Sequence, residues 1–236
     1  MDAGTIPSSG PEVSAARRRF RLWLALAIAL VPAVAAHLAY AWSIRDGWVQ
    51  ACNPYWDGCT SISRAARHGD GNTLFKLIML PVAVVSAVLW REAWEWLRRR
   101  NRAPGPALRA SGAVAAVALA TYVAFLGDAG EFAQWLRRYG ALAYFAATYL
   151  AQIGFVRHAW HLGDRGAPLQ AMFALCVLLL VFGLVSVWAT GTLDDPMKDQ
   201  VENAIEWNLG VFFTAWFLSL AWLWGRERPG LPRAVG

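Results

Sequence analysis

Cysteine is scarce in this 236-residue chain: there are three, and no set of them has metal-ligand spacing. Histidine is scarcer than aromatic residues by far, with four scattered positions, and this gives no basis for a zinc or haem protein. Charge is thin at 16% of residues, and acids are outnumbered 16 to 22 by Lys and Arg. No Asn-x-Ser/Thr sequon and no internal repeat is present, so neither N-glycosylation nor a repeat array is expected. No cofactor is expected. What remains is apolar: 57% hydrophobic residues, a mean hydropathy of +0.35 and 14 tryptophans.

The apolar residues gather into six stretches, Leu22–Trp42, Leu74–Trp90, Ser111–Leu126, Gly140–Val156, Met172–Thr190 and Ala204–Trp224. Each approaches or exceeds the ~17–25 residues a helix needs to cross ~30 Å of hydrocarbon. The expected fold class is therefore all-α, a polytopic six-transmembrane-helix bundle. The arginines sort by side. Arg17, Arg18, Arg19, Arg21, Arg91, Arg98, Arg99, Arg100, Arg102, Arg109, Arg157, Arg165, Arg226, Arg228 and Arg233 fall on one side, which is 15 of the 22 basic residues. Arg45, Arg64, Arg67, Lys76, Arg137, Arg138 and Lys198 fall on the other. The positive-inside rule places both termini in the cytoplasm and the odd-numbered loops outside; the expected membrane is the plasma (inner) membrane. Acids lean outward, so the outer face is acidic and the inner face basic. The net charge of +6 sits beside helix ends, where anionic lipid headgroups attract it; the expected partners are membrane lipids and not nucleic acid.

The expected organisation is a disordered tail over 1–15, a transmembrane domain over 16–225 and a cytoplasmic tail over 226–236. The first apolar run resembles a secretory signal, but it continues to Trp42 and five more follow, so it reads as a retained helix. Most tryptophans, among them Trp42, Trp48, Trp56, Trp90, Trp94, Trp96, Trp135, Trp160, Trp188, Trp207 and Trp224, lie near span boundaries and read as an aromatic belt. Small residues in the third span allow close packing, Pro81 is a kink candidate, and APGPA at 103–107 breaks a helix.

The longest connection, Ser43–Asn72, reads as an ordered outer cap. Cys52 and Cys59 share it, and on the oxidising side a disulfide between them is favoured over free thiols or a metal pair. Cys176 reads as packing and His37 as a packed or hydrogen-bonded histidine. His158, His161 and Asp164 are near enough to one face to hold a metal, but their inner loop setting reads as interfacial. Ser61 and Ser63 lack a visible base and orienter, so turn chemistry is expected of them. In the last span Asp199, Glu202 and Glu206 share a face, and Glu206 falls inside the apolar boundary, where a carboxylate normally has a partner. Asn72 and Lys76 share a face at the start of the second span, and Lys76 is the expected partner of Glu206. A polar pocket is expected from Asp57, Ser61, Ser63, Asn72, Lys76, Asp128, Glu131, Glu202, Glu206 and Trp207.

The loop CNPYWDGCTSISRAARHGDGNTLFK resembles the first luminal loop of the DRAM-like six-span proteins, which include the damage-regulated autophagy modulators and Golgi proteins of GPI-anchor lipid remodelling. Pro54, Tyr55, Ser61, Ser63 and Ala65 carry that pattern. EFAQWLRRYGALAYF is similar to the family's lead-in to helix four through Glu131, Gly140, Ala141 and Phe145, and ENAIEWNLGVFF to its lead-in to the last helix through Glu206 and Trp207. Arg137 or Arg138 stands where the family often has a histidine, and HGDGN replaces its proline-plus-acid turn. The resemblance implies a six-helix bundle with a role linked to membrane lipids. The leading expectation is an outward pocket for a lipid headgroup; the alternatives are a lipid-modifying enzyme using Glu206 as a base for acyl chemistry, or a small-solute transporter.

Overall fold

A computed structural model describes residues 11–100, 104–163 and 165–227, with side chains from 15 onward. Every element among them is helical: α1 Pro11–Arg45, the short α2 Ile62–Ala65, α3 Gly69–Arg98, α4 Pro106–Ala124, α5 Glu131–His161, α6 Ala167–Thr192 and α7 Met197–Gly225. Six are long and apolar enough to cross a membrane, and the chain is an integral membrane protein with a six-helix bundle.

The helices are longer than the apolar stretches that announce them. α1 starts at Pro11, inside the segment expected to be a disordered tail; residues 1–10 and 228–236 lie outside the described residues. α5 begins nine residues before Gly140. Helices continue while backbone hydrogen bonds continue, and polar residues at their ends fall outside any hydropathy window. The break after α3 comes where APGPA requires it: Gly105 is the N-cap of α4 and Pro106 opens it, a position that needs no amide donor. α3 runs on through Pro81.

The six long helices stand in a ring in the order α1, α3, α4, α5, α6, α7, with α7 back against α1. The α5–α6 junction is the sparsest. Small residues set the closest approaches. A Cβ at Gly112 of α4 would overlap Trp90 of α3, and one at Gly140 of α5 would lie 3.1 Å from the amide of Tyr122. Trp90, Trp96, Trp207, Trp216 and Trp224 are fully buried, so Trp90, Trp96, Trp207 and Trp224 belong to the core and not to the expected aromatic belt. The longer helices carry these rings inside the bundle, where Trp90 packs on Trp216 and Phe217, and Trp96 on Phe155. Trp23, Trp48, Trp56, Trp135, Trp188 and Trp222 are exposed.

At the end where α1 begins and α7 finishes, a buried acid ties α1 to α3. Glu92 accepts from Arg17 Nη2 at 3.0 Å and from Arg21 Nε at 3.1 Å, and is 5% exposed. Nearby, Glu227 accepts from Trp96 Nε1 at 2.6 Å and pairs with Arg100, while its carbonyl accepts from Arg18 at 3.0 Å. Several arginines of this basic end are thus engaged within the protein.

Candidate functional site

The opposite end is built around the loop between α1 and α3. Cys52 and Cys59 form the expected disulfide. Tyr40 Oη accepts from Cys52 N at 3.0 Å and donates to Cys52 O at 2.9 Å. Gly58 supplies a left-handed turn at φ +57°. One face of α7 then holds the loop: Asn203 Nδ2 donates to Gly58 O at 2.8 Å, Trp207 Nε1 to Thr60 O at 2.9 Å and Asn208 Nδ2 to Tyr55 O at 3.0 Å. Positions 203, 207 and 208 are spaced by four and five along the helix, which puts them on one side of it. Ser61 caps α2, accepting from Arg64 N at 3.1 Å. The loop is therefore an ordered cap, as its turn residues and cysteines indicate.

Beneath the cap is a cavity of about 710 Å³ lined mainly by α1, α3, α4, α5 and α7, with Ile62 and Ser63 of α2 and Ser186 of α6. Its polar lining includes His37, Tyr55, Ser63, Arg67, Tyr122, Gln134, Arg137, Arg138, Glu202 and Glu206, and its apolar lining Ile28, Met79, Leu119, Phe213 and Phe217. Glu206 Oε1 accepts from Ser63 N at 3.3 Å. Glu202 accepts from the Thr190 hydroxyl on α6. His37 Nδ1 sits 2.7 Å from Ala33 O, which only accepts, so Nδ1 carries the proton and Nε2 accepts from the Tyr55 hydroxyl at 2.7 Å. Burial pushes the Tyr55 hydroxyl's pKa upward and keeps it a donor. Arg67 is pushed downward, first by burial and then by Arg137 and Arg64 nearby.

The expected Glu206–Lys76 pair does not form. Lys76 Nζ pairs with Asp128 Oδ1 at 3.0 Å instead, and Lys76 does not line the cavity. The ring order explains it: α4 stands beside α3, so the α4–α5 turn faces Lys76 while α7 lies beyond α1. Of the other expected residues, Ser63, Glu202, Glu206 and Trp207 line the cavity, and Ser61 adjoins it through its 3.1 Å contact with Ser63 Oγ. Asn72 is a stitch, donating to Ala66 O at 2.8 Å and Leu126 O at 2.9 Å. Asp57 accepts from Asn53 N at 2.9 Å in the exposed turn, and Glu131 is exposed at the start of α5. These three, with Lys76 and Asp128, are outside the cavity lining. Asp164 of the His158–His161 set lies outside the described residues, and among the described residues no cluster suited to a metal is found.

Sequence reasoning missed His37, Tyr55, Arg67, Tyr122, Gln134, Arg137 and Arg138 as cavity residues. The available signal was in EFAQWLRRYG, where Gln134, Arg137 and Arg138 recur at three- and four-residue spacing just before an apolar run. No family model, curated protein or solved structure matches this chain.

Proposed function

We propose that this protein holds a membrane lipid by its headgroup and serves membrane-lipid homeostasis. In this reading the capped end faces outward and both termini are cytoplasmic, as the arginine distribution indicates, and the membrane is taken to be the plasma membrane. The observation that carries the reading is the amphipathic cavity: charged and hydroxyl groups under the cap, continuous with an apolar shaft inside the bundle. Its volume of about 710 Å³ is in the range of small-molecule sites, ~300–1,000 Å³. The likeness of the loop and helix lead-ins to DRAM-like proteins supports the same role. The catalytic alternative has less to stand on. Glu206 reaches the Ser63 amide and not its hydroxyl, and the Ser61 and Ser63 hydroxyls contact each other.

Protein purified in mild detergent is expected to retain close to one lipid per chain, released into organic solvent and counted by mass spectrometry. Gly210→Phe is expected to reduce that several-fold. Gly210 lines the cavity, and its Cβ would meet only Ile62 Cδ1 at 3.7 Å, so the ring fills the space without breaking the helix. Absence of lipid from the wild type, or equal retention by Gly210→Phe, would contradict the reading.

A further inference from the structure

The cavity lining carries Arg67, Arg137 and Arg138 against Glu202 and Glu206, a formal excess of one positive charge. Glu206 accepts from the Ser63 amide and Glu202 from the Thr190 hydroxyl, neutral donors that satisfy the carboxylates without cancelling charge, and Glu206 lies near enough to Arg67 to favour its cation. Arg67 has a buried Nε with no hydrogen-bond partner, and forms no ion pair among the described residues. Arg137 uses Nη1 on Phe125 O at 3.4 Å and Asp128 O at 3.1 Å, and its other nitrogens have no protein acceptor among the described residues.

One turn positions both of these arginines. A Cβ at Gly127 (φ +90°) would come within 2.8 Å of Arg67 O, and the two carbonyls that hold Arg137 flank that same glycine. Both side chains line the same cavity, and Arg137 is near enough to Arg67 to push the Arg67 guanidinium's pKa down. An anion between them relieves that repulsion, and the planar fork of each guanidinium matches phosphate oxygens. Tyr122, also in the lining, adds a hydroxyl.

The access route is sideways. Tyr55, Ile62 and Ser63 of the cap line the cavity on its outer side. Leu142 of α5 and Val211 of α7 line the cavity yet are 63% and 45% exposed, and Ser186 of α6 joins them. Leu142 is 11 residues into α5, about 16 Å along it, and Val211 14 residues into α7, about 21 Å, by the rise of an α-helix. The gap is therefore within the apolar zone, beside the sparsest junction of the ring, α5–α6. An opening there admits an acyl chain and not a solute from water.

We infer that the cavity selects a phospholipid of net negative headgroup charge, seating its phosphate between Arg67 and Arg137 and its chain along Met79, Phe213 and Phe217, and that the lipid enters from the bilayer between α5 and the α6–α7 pair. This rests on the lipid-holding reading above and adds the headgroup class, the binding residues and the route.

Thermal unfolding of the full chain in detergent tests it, with phosphatidylglycerol, phosphatidylcholine and inorganic phosphate as separate additions. Phosphatidylglycerol is expected to raise Tm by about 5–10 °C at roughly 100-fold excess over Kd, by ligand linkage. Phosphatidylcholine and inorganic phosphate are expected to give at most a small fraction of that shift. In Arg67→Gln/Arg137→Gln the phosphatidylglycerol shift should fall to the phosphatidylcholine level. If the double variant does not fold, Arg137→Gln alone is read, with at least half of the shift lost. Equal shifts by both lipids, unchanged in the variant, would overturn the headgroup selection while leaving a lipid-holding protein. An equal shift by inorganic phosphate would overturn the lipid as ligand of the arginines. No shift with any addition, together with no co-purified lipid, would remove the lipid-holding reading itself.

Discussion

Glu92→Ala lowers the stability of the detergent-solubilised protein by about 3–5 kcal/mol, the range for removing one partner of a buried ion pair. Calorimetry or intrinsic tryptophan fluorescence should show a Tm loss of roughly 10 °C or more. The carboxylate is 5% exposed and is the common acceptor for Arg17 on one turn of α1 and Arg21 on the next. The Arg21 side chain is itself only 8% exposed, so removal of the acid strands a cation between helices. Glu131→Ala, at the exposed first turn of α5, is the control and should change stability by no more than about 0.5 kcal/mol. A Glu92→Ala protein as stable as the control would show that the α1–α3 contact does not depend on this acid.

Gly58→Ala is the second large effect, and it acts at the cap. The glycine has φ +57°, where an alanine is strained, and an added Cβ would fall on the backbone carbonyl of Gln200 in α7. Strain and overpacking together come to about 2–5 kcal/mol. The chain can avoid that only by lifting the loop from α7 and giving up the bonds from Asn203 and Trp207. Hydrogen exchange over residues 53–60 should rise by at least tenfold, and retained lipid should fall. Gly47→Ala isolates the conformational part: it has φ +75° but nothing within 4 Å of its Cβ, so about 1 kcal/mol is expected. Equal behaviour of the two variants would mean that the cap is not seated on α7 through Gly58.

The parts of this molecule that could be read from its sequence are those governed by composition over many residues or by chemistry within a short loop. Six apolar runs give six spans because the hydrocarbon thickness sets the length. Cys52 and Cys59, separated by a proline–glycine turn, give a disulfide because both ends of the bond are local. Glu206 was recognisable as a polar residue facing into the bundle because a carboxylate inside an apolar helix needs a partner, and it lines the cavity, yet its partner was not recognisable. Helical periodicity says which side chains share a face of their own helix, and nothing about which helix stands opposite. Lys76 could be matched to Glu206 or Asp128 on charge alone, and only the order of helices around the ring decides for Asp128.

The arginines of the cavity were hidden for a related reason. Arg137 and Arg138 precede the apolar run of α5 and read as loop residues, whereas α5 begins at Glu131 and carries them into its second turn. Arg67 sits between α2 and α3 in a stretch with no periodicity, and its place in the cavity depends on Asn72 and Gly127 closing two loops together. Tryptophan was ambiguous too: a ring near a span boundary faces either lipid headgroups or a neighbouring helix, and Trp96 and Trp224 face the latter.

The claim that a lipid occupies the space under the cap is tested most directly by a phospholipid carrying a photoactivatable diazirine on its acyl chain, reconstituted with the protein and mapped by peptide mass spectrometry. The account predicts crosslinks concentrated at Leu142, Val211, Phe213 and Phe217, and their loss in Gly210→Phe. Crosslinks confined to the exposed face of α6, at Val181, Leu184 and Trp188, with none in the cavity lining, would mean that the chain meets lipid only as solvent and would contradict it.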